Sequence, residues 1–211
     1  MEFKLRHFSY LSNAQNLENI LSDAVVAKPI GFPYGERKAN LEVEIERYID
    51  DCRVLYEVVA NGEVVGFVGF CQPNERDVFR LTKLEEFRGN QDFCEILSET
   101  CLEVSFALRS DYIGKGLGTR AVNAAINQIF KYHKCACITA FYGIFRDTGE
   151  NTRSKNLMQR LGFVPFATYS HLPLASGDEV GAQVCYLLNP LLKQKIEGRG
   201  LEEFNFGARQ I

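Results

Sequence analysis

Apolar and polar residues alternate with period two from Glu2 to Phe8, with Phe3, Leu5 and His7 on one side, and this predicts a first strand. Asn16–Ala27 changes to helical spacing, with Leu17, Ile20, Leu21, Ala24 and Val25 forming a stripe. Pro29–Gly35, rich in proline and aromatic residues, reads as a rigid loop, and Leu41–Cys52 as a second amphipathic helix on Leu41, Ile45, Tyr48 and Ile49. Val54–Ala60 and Val64–Cys71 are strands separated by Asn61-Gly62, a hairpin signal because both residues tolerate positive φ. Gln72–Asp92 is charged and keeps Phe79, Leu81, Leu84 and Phe87 as anchors; it reads as a partly helical insertion over one end of a sheet. Ile96–Leu108 reads as a longer strand preceded by a bend. Thr119–His133 is a helix on Val122, Ala125, Ile126, Ile129 and Phe130, followed by the apolar strand Ala136–Tyr142, of the kind buried on both faces. Arg153–Leu161 is a short helix between a capping Asn151 or Thr152 and Gly162, placed where a C′ glycine belongs. Phe163–Tyr169 and Val180–Leu188 close the sheet as an antiparallel pair, a short helix runs Leu191–Ile196, and Gly198–Ile211 reads as a loosely held arm.

The order is strand, two helices, hairpin, strand, helix, strand, helix, two strands, which predicts a mixed α/β domain with helices on both sides of its sheet. A length of 211 residues suits one domain with an insertion, and a hydrophobic fraction of 46% supplies a core. The net charge of −3 gives no general attraction to nucleic acid or anionic membrane, and neither is expected as a partner. No apolar run approaches membrane-span length, and MEFKLRHFSY lacks the apolar core of a signal peptide. Seven cysteines, without a framework, fit a cytoplasmic protein that uses most of them as small buried hydrophobes.

The chemistry concentrates in Cys101–Thr119, where a strand crosses a polar turn into Gly114, Gly116 and Gly118 and opens a helix. Glycines let a backbone approach a phosphate, and the free N–H groups of a helix's first turn bind anions. A Walker loop is excluded, because Gly-x₄-Gly-Lys-Ser/Thr is absent. A Rossmann fingerprint fits Gly116-x-Gly118-x-x-Ala121 only formally, since the strand Ala136–Tyr142 carries no acid at its end for a ribose. The remaining reading is an acyl-coenzyme A loop.

Tyr112-Ile113-Gly114-Lys115-Gly116-Leu117-Gly118-Thr119 resembles motif A of the GNAT superfamily of N-acetyltransferases. Asn151 through Phe163, NTRSKNLMQRLGF, resembles motif B, and Glu103-Val104-Ser105-Phe106 is similar to the branch that acetylates ribosomal-protein N-termini. The resemblance spans roughly Glu2–Pro190, an N-acetyltransferase domain that leaves the 72–93 insertion and the 191–211 tail outside it. It implies a mostly antiparallel sheet, splayed between the strand before the glycine loop and the next strand. It implies acetyl-CoA held by the amides of Ile113, Gly114, Lys115, Gly116, Leu117, Gly118 and Thr119, with its pantetheine arm along Phe106, Ala107 and Leu108 and near Asn151 and Ser154. Glu103 then stands where the similar branch places an acid on this strand, as general base or as an ordinary salt-bridging residue. Ser154 stands near the sulfur, as acid or as a helix-capping hydroxyl. Two positions depart from the family: Ile113 replaces a Gln or Arg, and Met158 replaces the tyrosine that many members use as acid. Tyr142 and Tyr169 are other phenols for that role.

The resemblance implies an acetyl-CoA-dependent N-acetyltransferase that acylates a primary amine, a protein N-terminus or a small amine, by direct transfer, as a monomer or homodimer. The rival is a coenzyme A-binding sensor without catalysis. Acceptor choice falls to Pro29–Tyr34, Gln72–Asp92 and His171–Asp178. His133-x-Cys135-x-Cys137 lacks zinc spacing and a second ligand pair, so packing is expected there rather than a metal.

Overall fold

The computed structural model describes residues 1–9, 14–87, 91–145 and 149–198. Strand β1 (Lys4–His7) is followed by helices α1 (Ala14–Leu21), α2 (Ala24–Ile30) and α3 (Leu41–Asp51). The single helix predicted over Asn16–Ala27 is therefore two. Asp23 accepts a hydrogen bond from the Val25 amide at 2.9 Å, so it caps a new helix instead of continuing the old one. That second helix absorbs Pro29 and Ile30 from the expected loop and ends at Gly31, whose φ of 83° is the left-handed stop.

Strands β2 (Cys52–Ala60) and β3 (Glu63–Cys71) are joined by Asn61 and Gly62 at φ 52° and 84°, the two left-handed residues that a type I′ turn needs. The insertion forms α4 (Glu75–Leu81), a 3₁₀ turn at Glu85–Phe87 and α5 (Gln91–Thr100). Here the strand expected over Ile96–Leu108 is corrected. Phe93, Leu97 and Thr100 are buried at helical spacing, and extended structure begins only with β4 (Leu102–Leu108). Then come α6 (Leu117–Tyr132), β5 (Cys137–Phe145), the short β6 (Gly149–Glu150), α7 (Thr152–Arg160), β7 (Val164–Pro173), β8 (Glu179–Leu188) and α8 (Pro190–Gly198). Of the arm expected over Gly198–Ile211, Gly198 is the last residue of α8 and 199–211 lie outside the described residues.

The sheet runs β1-β2-β3-β4-β5-β8-β7, with β6 beside β5. Every pair is antiparallel except β4 with β5. This is the mixed, mostly antiparallel α/β architecture that the sequence predicts. On one face α6 buries Leu117, Val122, Ala125, Ile126 and Ile129 against Val68, Phe70, Val104 and Ala140. Each buried Leu, Val, Ile or Phe side chain among these contributes about 1.5–3 kcal/mol, and each Ala methyl less. The opposite face carries two packs. Helices α1–α3 cover Leu55, Phe67 and Ala107, while α4, α5 and α8 cover Cys137 and Tyr186. Between them lies a seam, and the residues at that seam matter below.

Candidate active site

The parallel ladder between β4 and β5 holds only at Leu102 opposite Ile138 and Glu103 opposite Thr139. Beyond that point the two strands part, which is the expected splay. Which backbone groups the gap receives follows from the ladder on the other side of β4. The Arg109 amide donates to the Val65 carbonyl at 2.8 Å. Alternation along an antiparallel pair therefore turns Ala107 and Ser105 toward β3, and Phe106 and Leu108 toward the gap. Of the three residues expected to meet a pantetheine arm, Phe106 and Leu108 offer main-chain groups, and Ala107 offers only its side.

The glycine loop closes one end of the gap. Gly114 and Gly116 have φ of 80° and 72°, and nothing lies within 4 Å of the place where a Cβ would stand on either. Their left-handed backbone requires glycine, and the space above them is open. Gly116 begins α6 without any side-chain cap, so the first-turn amides have no intrahelical partner. Gly118 differs: its φ is ordinary, and a Cβ there would touch Leu108 at 3.5 Å and Leu157 at 3.6 Å.

Strand edge and loop share one cleft of about 660 Å³. It brings together Phe106, Ala107, Leu108, Ile113, Gly114, Gly116, Gly118, Thr119, Asn151 and Ser154 of the expected set. Lys115, Leu117 and Glu103 are not on its lining. The Lys115 ammonium lies 5.4 Å from the Tyr112 ring centre, and the Leu117 side chain is fully buried in the core, so only its main chain reaches the loop. Sequence reasoning missed the wall formed by Val25, Val26, Pro29 and Ile30 of α2, and it missed Arg153 and Arg160 of α7. The arginines had a signal: seven residues apart on a helix, they share a face. Neither arginine has an ion pair among the described residues, whereas Glu150 at the same cleft is paired with Lys155 at 2.6 Å.

Asn151 caps α7, its side-chain oxygen accepting from the Ser154 amide at 3.2 Å. The Ser154 hydroxyl is thus not needed as the cap, and Ser154 is half-buried at the cleft. Met158, at the position of the missing tyrosine, is buried in the α6 core, and Tyr142 is buried there too.

Glu103 sits at the foot of the splay. Cys52, Cys71, Glu103, Thr139 and Tyr186 are successive register partners across five strands, so their side chains share a face. Cys52 packs with α1–α3 and Tyr186 with the insertion, which leaves Glu103 between the two packs, in the seam. Burial, and then the charge of Asp77, push its carboxyl up to about 7. Tyr48 and Ser105 lie on the same face, hydroxyl to hydroxyl at 2.6 Å. The Cys52 and Cys71 sulfurs are 2.6 Å apart, and the hydrogen bond that holds the Cys71 thiol on Cys52, followed by burial, pushes that thiol far up. Among the described residues no group of three or more His, Cys, Asp or Glu side chains is placed to hold a metal ion, and no helix is long and apolar enough to cross a membrane.

The profile of the acetyltransferase (GNAT) family matches residues 17–163, and the chain belongs to that family. None of the curated proteins matches the sequence significantly. Among solved structures, a GNAT-family acetyltransferase from Bacillus anthracis superposes with a TM-score of 0.61 at 17% identity, over 90% of this chain and 96% of that one. A ribosomal-protein-S5-alanine acetyltransferase from Vibrio fischeri gives 0.59 at 20% identity, over 90% and 94%. A spermidine N-acetyltransferase from Vibrio cholerae, solved with CoA and spermine, gives 0.63 at 15% identity, over 89% and 95%. These likenesses support the fold, and they include the branch that Glu103-Val104-Ser105-Phe106 resembles.

Proposed function

We propose that this member of the GNAT family transfers the acetyl group of acetyl-CoA directly to a primary amine, on a protein N-terminus or a small molecule. The observation that carries the reading is the cleft between the diverging β4 and β5, walled by free strand edge on one side and closed by left-handed glycines on the other. That shape suits a thioester on a long flexible arm ending in a diphosphate. The open amides of the Gly114–Thr119 loop would hold the diphosphate, with Arg153 and Arg160 adding positive charge. Acetyl-CoA supplies an activated acyl group whose thiol leaves readily. The chain's own groups do the rest. The Phe106 or Leu108 amide donates to the acyl oxygen as charge builds there. Glu103, titrating near neutrality, takes a proton from the acceptor ammonium so that a neutral amine attacks. Ser154, at the cleft beside the α7 start, donates toward the departing sulfur.

The acceptor reaches Glu103 from the seam, opposite the cofactor's cleft, which is the geometry of a ternary complex. Tyr34 and Arg37 reach across to Asp178 and Ser176 and tie the α2–α3 connection to the β7–β8 hairpin. Those segments, with the insertion, would frame the acceptor.

The test is release of free thiol from acetyl-CoA against a panel of peptides and polyamines, beside a thermal-shift screen with acetyl-CoA, CoA and NAD. Turnover with one acceptor class is the expected result. Coenzyme A binding with no turnover on any amine would favour a non-catalytic sensor, a reading that the burial of Met158 in place of a tyrosine keeps in view. Tight NAD binding alone would overturn both.

A further inference from the structure

The splay divides the sheet into two halves, and between β4 and β5 the ladder joins them only at Leu102 and Glu103. Helix α2 belongs to the β1–β4 half, where Val26 and Ala27 pack with Leu55, Phe67 and Ala107. The β7–β8 hairpin belongs to the other half, because β8 runs along β5 from Leu188 opposite Cys137 to Gly181 opposite Ile144. Its tip, residues 174–178, therefore lies past Ile144, at the wide end of the gap.

Across that wide end the two halves are tied. The Ser176 amide donates to the carbonyl of Gly31, the residue that ends α2, at 2.7 Å. Ser176 is only 2% exposed, although it stands at a hairpin tip. Asp178 gathers the other donors. Its Oδ2 accepts from the Tyr34 hydroxyl at 2.9 Å and the Ser176 hydroxyl at 3.1 Å, and its Oδ1 accepts from Arg37 at 3.0 Å. Leu174 fills the space beside Gly31, where an added Cβ would stand 3.1 Å from the leucine Cδ2. An ion pair whose arginine is more than half exposed contributes little by itself. Here one carboxylate fixes three donors drawn from two separate segments.

What the tie holds in place is a wall of the cleft. Val25, Val26, Pro29 and Ile30 line it from α2, a helix of only 7 residues. So short a helix keeps its place through packing and through its ends, not through its own hydrogen bonds. Asp23 caps one end, and Ser176 holds the other through Gly31.

We propose that Asp178 is a positioning residue for the cofactor: by joining Tyr34, Arg37 and Ser176 it pins the end of α2 to the opposite half of the sheet and fixes the wall against which the acyl-carrying arm of acetyl-CoA lies. This deepens the reading of the cleft as the acetyl-CoA site and rests on it. When the clasp opens, fewer molecules have the wall in place, and the apparent affinity falls by the same factor.

The test is calorimetric titration with coenzyme A, beside hydrogen exchange of the α2 amides in the free protein, for wild type, Tyr34→Phe, Asp178→Asn and Asp178→Ala. The series is graded: Tyr34→Phe removes one donor, Asp178→Asn keeps one acceptor oxygen, and Asp178→Ala keeps none. Coenzyme A binding should weaken about tenfold in Asp178→Ala and less in the other two. Each loss should be matched by faster exchange in α2, while α6 and β5 exchange as in wild type. Should Asp178→Ala fail to fold, the same parallel must appear in Tyr34→Phe and Asp178→Asn. Unchanged coenzyme A affinity, weaker binding without looser α2, or exchange that rises throughout the domain would overturn this inference alone. A wild-type protein that binds no coenzyme A would overturn the cofactor reading and this inference with it.

Discussion

The Tyr48 hydroxyl lies 2.6 Å from the Ser105 Oγ, directly over Gly69 of the intervening strand. A Cβ on Gly69 would stand 2.0 Å from that hydroxyl and 2.9 Å from the Cys52 sulfur. The glycine has no left-handed φ; it is there for room. Gly69→Ala is therefore expected to destabilise the fold by about 1–3 kcal/mol through overpacking. Tyr48→Phe should recover part of that loss in the double variant, since it removes the closest atom. Urea denaturation of the four proteins in the cycle measures the coupling. Additive losses would mean that the sheet shifts rather than clashes.

The loop glycines divide by backbone, and so should their variants. Gly114→Ala and Gly116→Ala each force an L-residue into left-handed φ, a strain of about 1–2 kcal/mol. The same methyl enters the open space above the loop, so weakening of coenzyme A binding by about tenfold or more is expected. Gly118→Ala meets only ordinary contacts and should fold like the parent. Calorimetric titration with coenzyme A separates the two kinds of position.

Titration of Glu103 near 7 makes two predictions of opposite sign. For catalysis, activity should rise with pH through about 7, and Glu103→Gln should lose about 10²–10⁴ in kcat/KM while coenzyme A still binds. For stability, the folded state holds the proton more tightly than the unfolded chain does. Glu103 then favours folding at low pH, and that contribution is lost as pH rises from about 4.5 through about 7. Glu103→Gln should thus melt higher than wild type at alkaline pH, with the gap closing in acid. A variant less stable than wild type at pH 8 would contradict the burial argument.

What could be read along the chain was local. The Asn61-Gly62 turn, the glycine loop opening α6 and the cap at Asn151 or Thr152 each depend on a few neighbouring residues, and each is found where the sequence predicts it, the cap falling to Asn151. The errors came where local signals compete. Asp23 suits a helix interior poorly but a cap well, and so it divided what reads as one helix. Residues 96–100 carry apolar positions compatible with either period, and packing of Phe93 and Leu97 under the insertion decided for helix. The seam was not legible at all. Asp77 and Tyr169 meet only because α4 folds back onto the last hairpin, a relation set by tertiary packing rather than spacing. The α2 wall of the cleft was hidden for the same reason.

Asn151 is bound to one measurable quantity, the stability of the α7 start. Its oxygen takes the Ser154 amide, and Asn151→Ala should cost about 1 kcal/mol. Because Ser154 rides on that first turn, the same change should lower kcat more than it raises the KM for acetyl-CoA. Asn151→Asp, which keeps the capping oxygen, should restore both.

Arg153 and Arg160 provide the last prediction. They sit on one face of α7, toward the cleft, and lack carboxylate partners among the described residues, so their charge is available to a phosphate. Arg109, near the same loop, is not available: it is held by Asp111 at 2.8 Å and Glu63 at 3.1 Å. Replacing either α7 arginine with glutamine should weaken coenzyme A binding several-fold, by an amount that shrinks as salt is raised, because exposed charges are screened within about 10 Å at 0.1 M. Arg109→Gln should change binding little and stability slightly. Titrations at low and high salt, run with the three variants side by side, distinguish a charge that meets the ligand from one that only decorates the loop. Equal losses for all three would move the phosphate site away from α7.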